Sequence, residues 1–107
     1  MTANSPSSAD SNEYSLTIDT QHPSLEGHFP GHPVVPGVVI LDNIIQLWQS
    51  HNAYQVKQIL NAKFMQPLCP GEHYNVQYKL KPKQKIAFIL ADPISNMLIC
   101  KGLFSYE

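Results

Sequence analysis

Arginine is absent from these 107 residues, so seven lysines carry all of the fixed positive charge. Eight carboxylates bring the formal net charge to -1, which points to neither nucleic acid nor a membrane surface as a partner. Cysteine is nearly as scarce. Cys69 and Cys100 are too few for a disulfide framework and lack metal-ligand spacing, so both read as reduced, structural thiols. No apolar run approaches the length of a membrane span. The opening, MTANSPSSADSN, has neither the positive start nor the apolar stretch of a signal peptide. These absences predict a cytoplasmic protein, with residues 1–12 as a disordered leader and residues 13–107 as one small domain.

What is present is ordinary in amount and uneven in distribution. Apolar residues make up 43% of the chain, as in a folded protein. Residues 1–50 carry Asp10, Glu13, Asp19, Glu26 and Asp42 with no lysine, whereas residues 51–107 carry every lysine against Glu72, Asp92 and Glu107. Tyr14, Leu16 and Ile18 alternate with polar residues, which predicts a strand. A Pro- and Gly-rich loop over residues 20–36 follows. Pro36-Gly37 then marks the start of a helix that ends near His51-Asn52, where a cation and a left-handed residue are favoured. Its segment Val38 to Gln49 is so apolar that the helix should be largely buried. VKQILNAKFM, HYNVQYKLK, KIAFILA and MLICKGLFSY predict four more strands, separated by the turns QPLCPGE, KPKQ and DPISN. Tyr74, Val76, Tyr78 and Leu80 should share one face. The result is an α+β domain, an antiparallel sheet wrapped around one long central helix.

GHFPGHPVVPGVVILD, residues 27–42, holds the residues that could carry chemistry. Asp42, Gln46 and Gln49 fall at i, i+4 and i+7, a narrow polar stripe on an apolar helix. A solvent-facing stripe and a functional one fit that pattern equally well. Capping explains Asp42 poorly, because it lies beyond the first turn. His28 sits in a loop, where an unremarked solvated histidine is the commoner case. His22, His28 and His32 match no established metal spacing, and the prolines between them restrict convergence, so no metal is expected. His51 reads as a helix-end cation, His73 as an exposed strand residue and Trp48 as core. The period-two lysines Lys79, Lys81, Lys83 and Lys85 read as a solvated strand face and turn.

Taken together, the stretch resembles the hotdog-fold 3-hydroxyacyl-(acyl carrier protein) dehydratases. That family's run of His-Phe-Pro-Gly, one variable residue, Pro, two apolar residues and Pro-Gly is met by His28-Phe29-Pro30-Gly31, Pro33, Val34-Val35 and Pro36-Gly37. The acid expected fourteen residues after the histidine is Asp42, and Gln46 fills the frequent glutamine four residues on. AKFMQPLCPGE is similar to the family's strand and Pro-Gly turn, so the likeness extends over most of residues 16–106.

The resemblance implies loss of water from a 3-hydroxyacyl thioester, giving the trans-2-enoyl thioester, in fatty acid, aryl-polyene or polyketide-type synthesis. Neutral His28, held by the turn Phe29-Pro30-Gly31, would take the C2 proton. Asp42, facing an apolar tunnel that raises its pKa, would protonate the departing hydroxyl, oriented by Gln46. The N–H groups of Gly37 and Val38 at the helix start would meet the charge on the thioester oxygen. No cofactor is implied. The partners implied are an acyl carrier protein with its phosphopantetheine-linked chain and a second copy of the protein, with no nucleic acid and no membrane. The chain is shorter than many members between the helix and VKQIL, and its acid is Asp where Glu is commoner. A hotdog acyl thioesterase and a non-catalytic hotdog partner in a synthase complex are the alternatives.

Overall fold

The computed structural model describes residues 11–19 and 34–107. Five strands and one helix follow the chain as β1 (Ser11–Leu16), α1 (Gly37–Ser50), β2 (Val56–Phe64), β3 (Tyr74–Lys81), β4 (Lys85–Ala91) and β5 (Leu98–Tyr106). The strands form one antiparallel sheet in the order β1-β3-β4-β5-β2. This is the hotdog arrangement of a sheet around one long helix. β1 begins before the domain boundary expected from sequence, since Ser11 and Asn12 pair with Lys79 and Tyr78.

Alternation explains the sheet. Tyr74, Val76 and Tyr78 turn inward from β3, Ile86, Phe88 and Leu90 from β4, and Cys100 and Phe104 from β5. Their rings interlock, with Phe88 and Phe104 stacked at 6.0 Å and Trp48 edge-on to Phe104 at 5.4 Å. Leu80 has the right phase but is 45% exposed, because it lies where the helix no longer covers the sheet. Gly102 is required by close approach: a Cβ there would strike the Asn61 carbonyl and the Phe88 ring. The β3–β4 hairpin closes through Lys83 and Gln84, both left-handed at φ 65° and 57°.

The helix differs from expectation in how much of it is covered. Ile40, Ile44 and Trp48 are buried against the sheet, and the Tyr78 hydroxyl donates to the Ile44 carbonyl at 2.6 Å. Val38 on the opposite side is 74% exposed, and Asp42, Gln46 and Ser50 are exposed with it. Val39, Leu41 and Leu47 are partly buried against the core, so among the described residues of the helix Val38 is the large apolar side chain left exposed. The helix end also departs from a left-handed cap. His51 has φ -110°, and the Asn52 side chain donates to the Trp48 carbonyl at 2.8 Å instead.

β2 is an edge strand with two register irregularities against β5. It leaves Ile59, Leu60 and Phe64 at 38–45% exposure along its length. No helix among the described residues is long and apolar enough to cross a membrane. Both cysteines are free. Burial pushes the Cys100 thiol up to about 11, whereas Cys69 is exposed.

Candidate active site

Helix α1 starts abruptly. Pro36 precedes it with φ -59° and ψ 145°, no side chain caps it, and its first turn has no acid. The Val39 and Ile40 N–H groups both turn back to the Pro36 carbonyl, at 3.0 and 3.2 Å. The N–H groups of Gly37 and Val38 have no such acceptor among the described residues. Two open donors at the positive end of a helix dipole suit an oxygen that gains negative charge.

The segment before the helix is fixed from across the fold. The Val35 N–H donates to the Leu68 carbonyl at 3.2 Å, and Val35 and Leu68 are both buried. The turn carrying Leu68 is held in turn by Tyr74, whose hydroxyl accepts the Cys69 N–H at 3.0 Å. Burial raises the pKa of that hydroxyl, which keeps it a neutral anchor. Between these segments lies an open cleft of about 370 Å³, with Gly37 and Ile40 on the helix side and Phe64, Met65 and Pro67 on the other. The Phe64 ring lies so near Gly37 that a Cβ would come within 2.9 Å of it. Glycine is needed here for space beside Phe64. Phe64 itself was not singled out by sequence, since an aromatic at a strand end gives no sign of which helix it will meet.

Asp42 and Gln46 project from the exposed face of α1, in line with Val38 at intervals of four residues. The Gln46 Nε2 donates to Asp42 Oδ2 at 2.8 Å, the orienting bond expected from their spacing. Gln49 leaves the stripe: its Oε1 accepts the Val56 N–H at 2.7 Å and ties the start of β2 to the helix end. The described residues do not supply the apolar surroundings expected for Asp42, which is exposed. Val38 and Asp42 are one turn apart, about 6 Å along the axis, a separation that a thioester oxygen and a C3 hydroxyl can bridge. His28, Phe29, Pro30 and Gly31 lie outside the described residues, as do His22 and His32. Among the described residues no three His, Cys, Asp or Glu side chains gather as metal ligands would. His73 is exposed, with its Nδ1 2.7 Å from the Thr17 hydroxyl, and the His51 ring stacks on Tyr14 at 4.2 Å.

Residues 4–102 match the family model described as ApeI-like, ApeI dehydratase. The chain belongs to the ApeI-like dehydratase family. Among curated proteins it is similar to the 3-hydroxyacyl-[acyl-carrier-protein] dehydratase FabZ of Haemophilus influenzae, 29% identical over 97 residues, covering 79% of this chain and 66% of that protein. The FabZ of Desulfotalea psychrophila is 33% identical over 89 residues, covering 71% of this chain and 57% of its own. The chain thus spans about half to two thirds of the length of the curated relatives it matches. Among solved structures, the dehydratase heterocomplex ApeI:P from Xenorhabdus doucetiae superposes with a TM-score of 0.74 at 22% identity, covering 91% of this chain and 87% of that one. A 1,4-dihydroxy-2-naphthoyl-CoA thioesterase from Synechocystis shares the fold more loosely, with a TM-score of 0.56 at 10% identity, covering 90% and 80%. These structural likenesses establish the hotdog fold.

Proposed function

We propose that this ApeI-like chain dehydrates 3-hydroxyacyl thioesters carried on an acyl carrier protein, giving the trans-2-enoyl thioester. His28 takes the C2 proton, and the electron pair left behind is stabilised as negative charge on the thioester oxygen at the Gly37 and Val38 N–H groups. The pair then forms the C2–C3 double bond as the C3–O bond breaks. Asp42, oriented by Gln46, gives its proton to the departing hydroxyl, which leaves as water. Fatty acid, aryl-polyene and polyketide-type assembly all present such a substrate.

The observation that carries this reading is the order of groups along α1: two open N–H donors at its start, then an acid one turn on, bonded to Gln46 on the same face. Family membership and the FabZ relatives support it. The exposure of Asp42 and of β2 supports a second copy of the chain as part of the working assembly. A partner covering the Val38–Asp42–Gln46 face would take Asp42 out of water and favour its protonated form, as an acid in this step requires. β2, an edge strand with exposed apolar side chains, is the surface through which two sheets would join. The exposed Lys79, Lys81 and Lys83 offer an acidic carrier protein a complementary surface. Two free thiols accord with a cytoplasmic setting.

Mass spectrometry of 3-hydroxyacyl-carrier protein incubated with the full chain tests the proposal. Loss of one water with the acyl chain retained is expected. Release of the acyl chain would make the protein a thioesterase, and an unchanged substrate would overturn the catalytic reading.

A further inference from the structure

At the opposite end of α1 from Gly37, the helix and the sheet part and a cavity of about 180 Å³ opens between them. The helix is 14 residues long, so this cavity lies about 20 Å from the open N–H donors. None of the residues assigned to the thioester site lines it.

Its walls are aromatic and neutral. Trp48, Tyr54 and Tyr106 form a connected set of rings, with Trp48 and Tyr106 at 5.2 Å and 50°, and Tyr54 and Tyr106 at 4.9 Å and 54°. Asn12, Asn52 and Leu80 belong to the remaining wall, and among the described residues no charged side chain lines the space. The frame is preformed: Asn52 holds the Trp48 carbonyl at 2.8 Å, and Asn12 is fixed by its register opposite Tyr78. The Asn12 carboxamide and the hydroxyls of Tyr54 and Tyr106 have no hydrogen-bond partner among the described residues. Tyr54 is 51% exposed, so the cavity is open to entry.

We propose that this cavity binds a small, neutral, single-ring aromatic molecule bearing one hydrogen-bonding group, such as a phenol. Its volume is close to the ~150 Å³ at which an apolar cavity takes up benzene. Tilted rings at these distances extend readily to one more ring packed edge to face. The free carboxamide and hydroxyls supply partners for one polar substituent. An anion is disfavoured, because no cation among the described residues lines the cavity to offset its desolvation. The site is independent of the dehydratase reading, and neither stands or falls with the other.

Trp48 is the only tryptophan, so its indole N–H gives a single reporter signal in a nitrogen–proton NMR spectrum of the full chain. Phenol should shift that signal saturably, with a Kd on the order of 1 mM for so small a ligand. Cyclohexanol and benzoate should each bind at least about tenfold more weakly, for want of a ring and for burying a charge respectively. Leu80→Phe, which fills the cavity from a half-exposed position, and Tyr54→Ala, which removes an exposed wall, should each weaken phenol binding at least about fivefold. A Trp48 signal that does not saturate would overturn the proposal. So would equal binding of the three probes, equal binding by both variants, or shifts confined to Gly37 and Phe64.

Discussion

Replacing Asp42 by Asn separates the two roles that its position on α1 allows. On the described chain its side chain is exposed and makes one hydrogen bond, accepted from Gln46 at 2.8 Å. Such an i, i+4 polar pair on a helix surface contributes about 0.2–0.5 kcal/mol, and Asn can still accept the same bond. Asp42 lies past the first turn, so its charge gains little from the helix dipole. The expected stability change is therefore below about 0.5 kcal/mol, a fall in Tm of no more than roughly 4 °C for a domain of this size. The chemical step loses far more. Asn has no proton to give the leaving hydroxyl, and a positioned general acid contributes about 10²–10⁴ in rate, or roughly 2.7–5.4 kcal/mol of barrier. Calorimetry and the carrier-protein assay on one preparation measure both quantities. Asp42→Asn should be folded and at least about a hundredfold slower, and Gln46→Ala should fall between it and the wild type. If Asp42→Asn keeps more than about a third of wild-type kcat, Asp42 is a solvated surface residue and the acid has been wrongly assigned.

The remaining predictions concern pH, a turn and the assembly. Burial raises the Cys100 pKa from 9.0 to about 11, so the stability tied to its protonated form is complete below about pH 9 and lost as pH rises through 11. The stability advantage of wild type over Cys100→Ala should accordingly shrink by about 2 kcal/mol between pH 8 and 11 in denaturant titrations, and a constant difference would refute the assignment. Gln84→Gly removes the side-chain penalty of a left-handed residue while keeping the carbonyl that accepts the Tyr106 N–H at 3.0 Å. It should stabilise the fold by about 0.5–1 kcal/mol, read as a rise in Tm of a few degrees; a fall would show that the Gln84 side chain contributes more than its strain. Should each site take His28 from one copy and Asp42 from the other, re-annealing inactive His28→Ala and Asp42→Ala homodimers should restore about a quarter of wild-type activity, since half the dimers are mixed and one of their two sites is intact. Mixed dimers that form without activity would place both groups in one chain's site.

Which of these features the sequence exposed depended on how local their cause was. The Asp42–Gln46 bond follows from one helical turn, so spacing alone anticipated it. The same periodic argument put Gln49 in the stripe and failed, because the first N–H of β2 competed for its side chain. The alternation in β3 correctly turned Tyr74, Val76 and Tyr78 inward, yet Leu80 of the same phase remains exposed beside the aromatic cavity. Phase is a property of the strand, whereas burial is a property of what lies across from it. Phe64 against Gly37 was invisible for a related reason: the contact joins a strand end to a helix start 27 positions away, and neither residue type announces the other. The apolar excess of α1 belongs to both kinds of information. Its apolar run predicted a largely buried helix, whereas the structure buries Ile40, Ile44 and Trp48 and leaves Val38 exposed beside Asp42. An acid that must hold a proton needs dry surroundings, and the exposed Val38 one turn before it is an apolar side chain without cover. A surface laid over that face would meet both needs at once, which is why the assembly and the chemistry of this chain are best tested as one question.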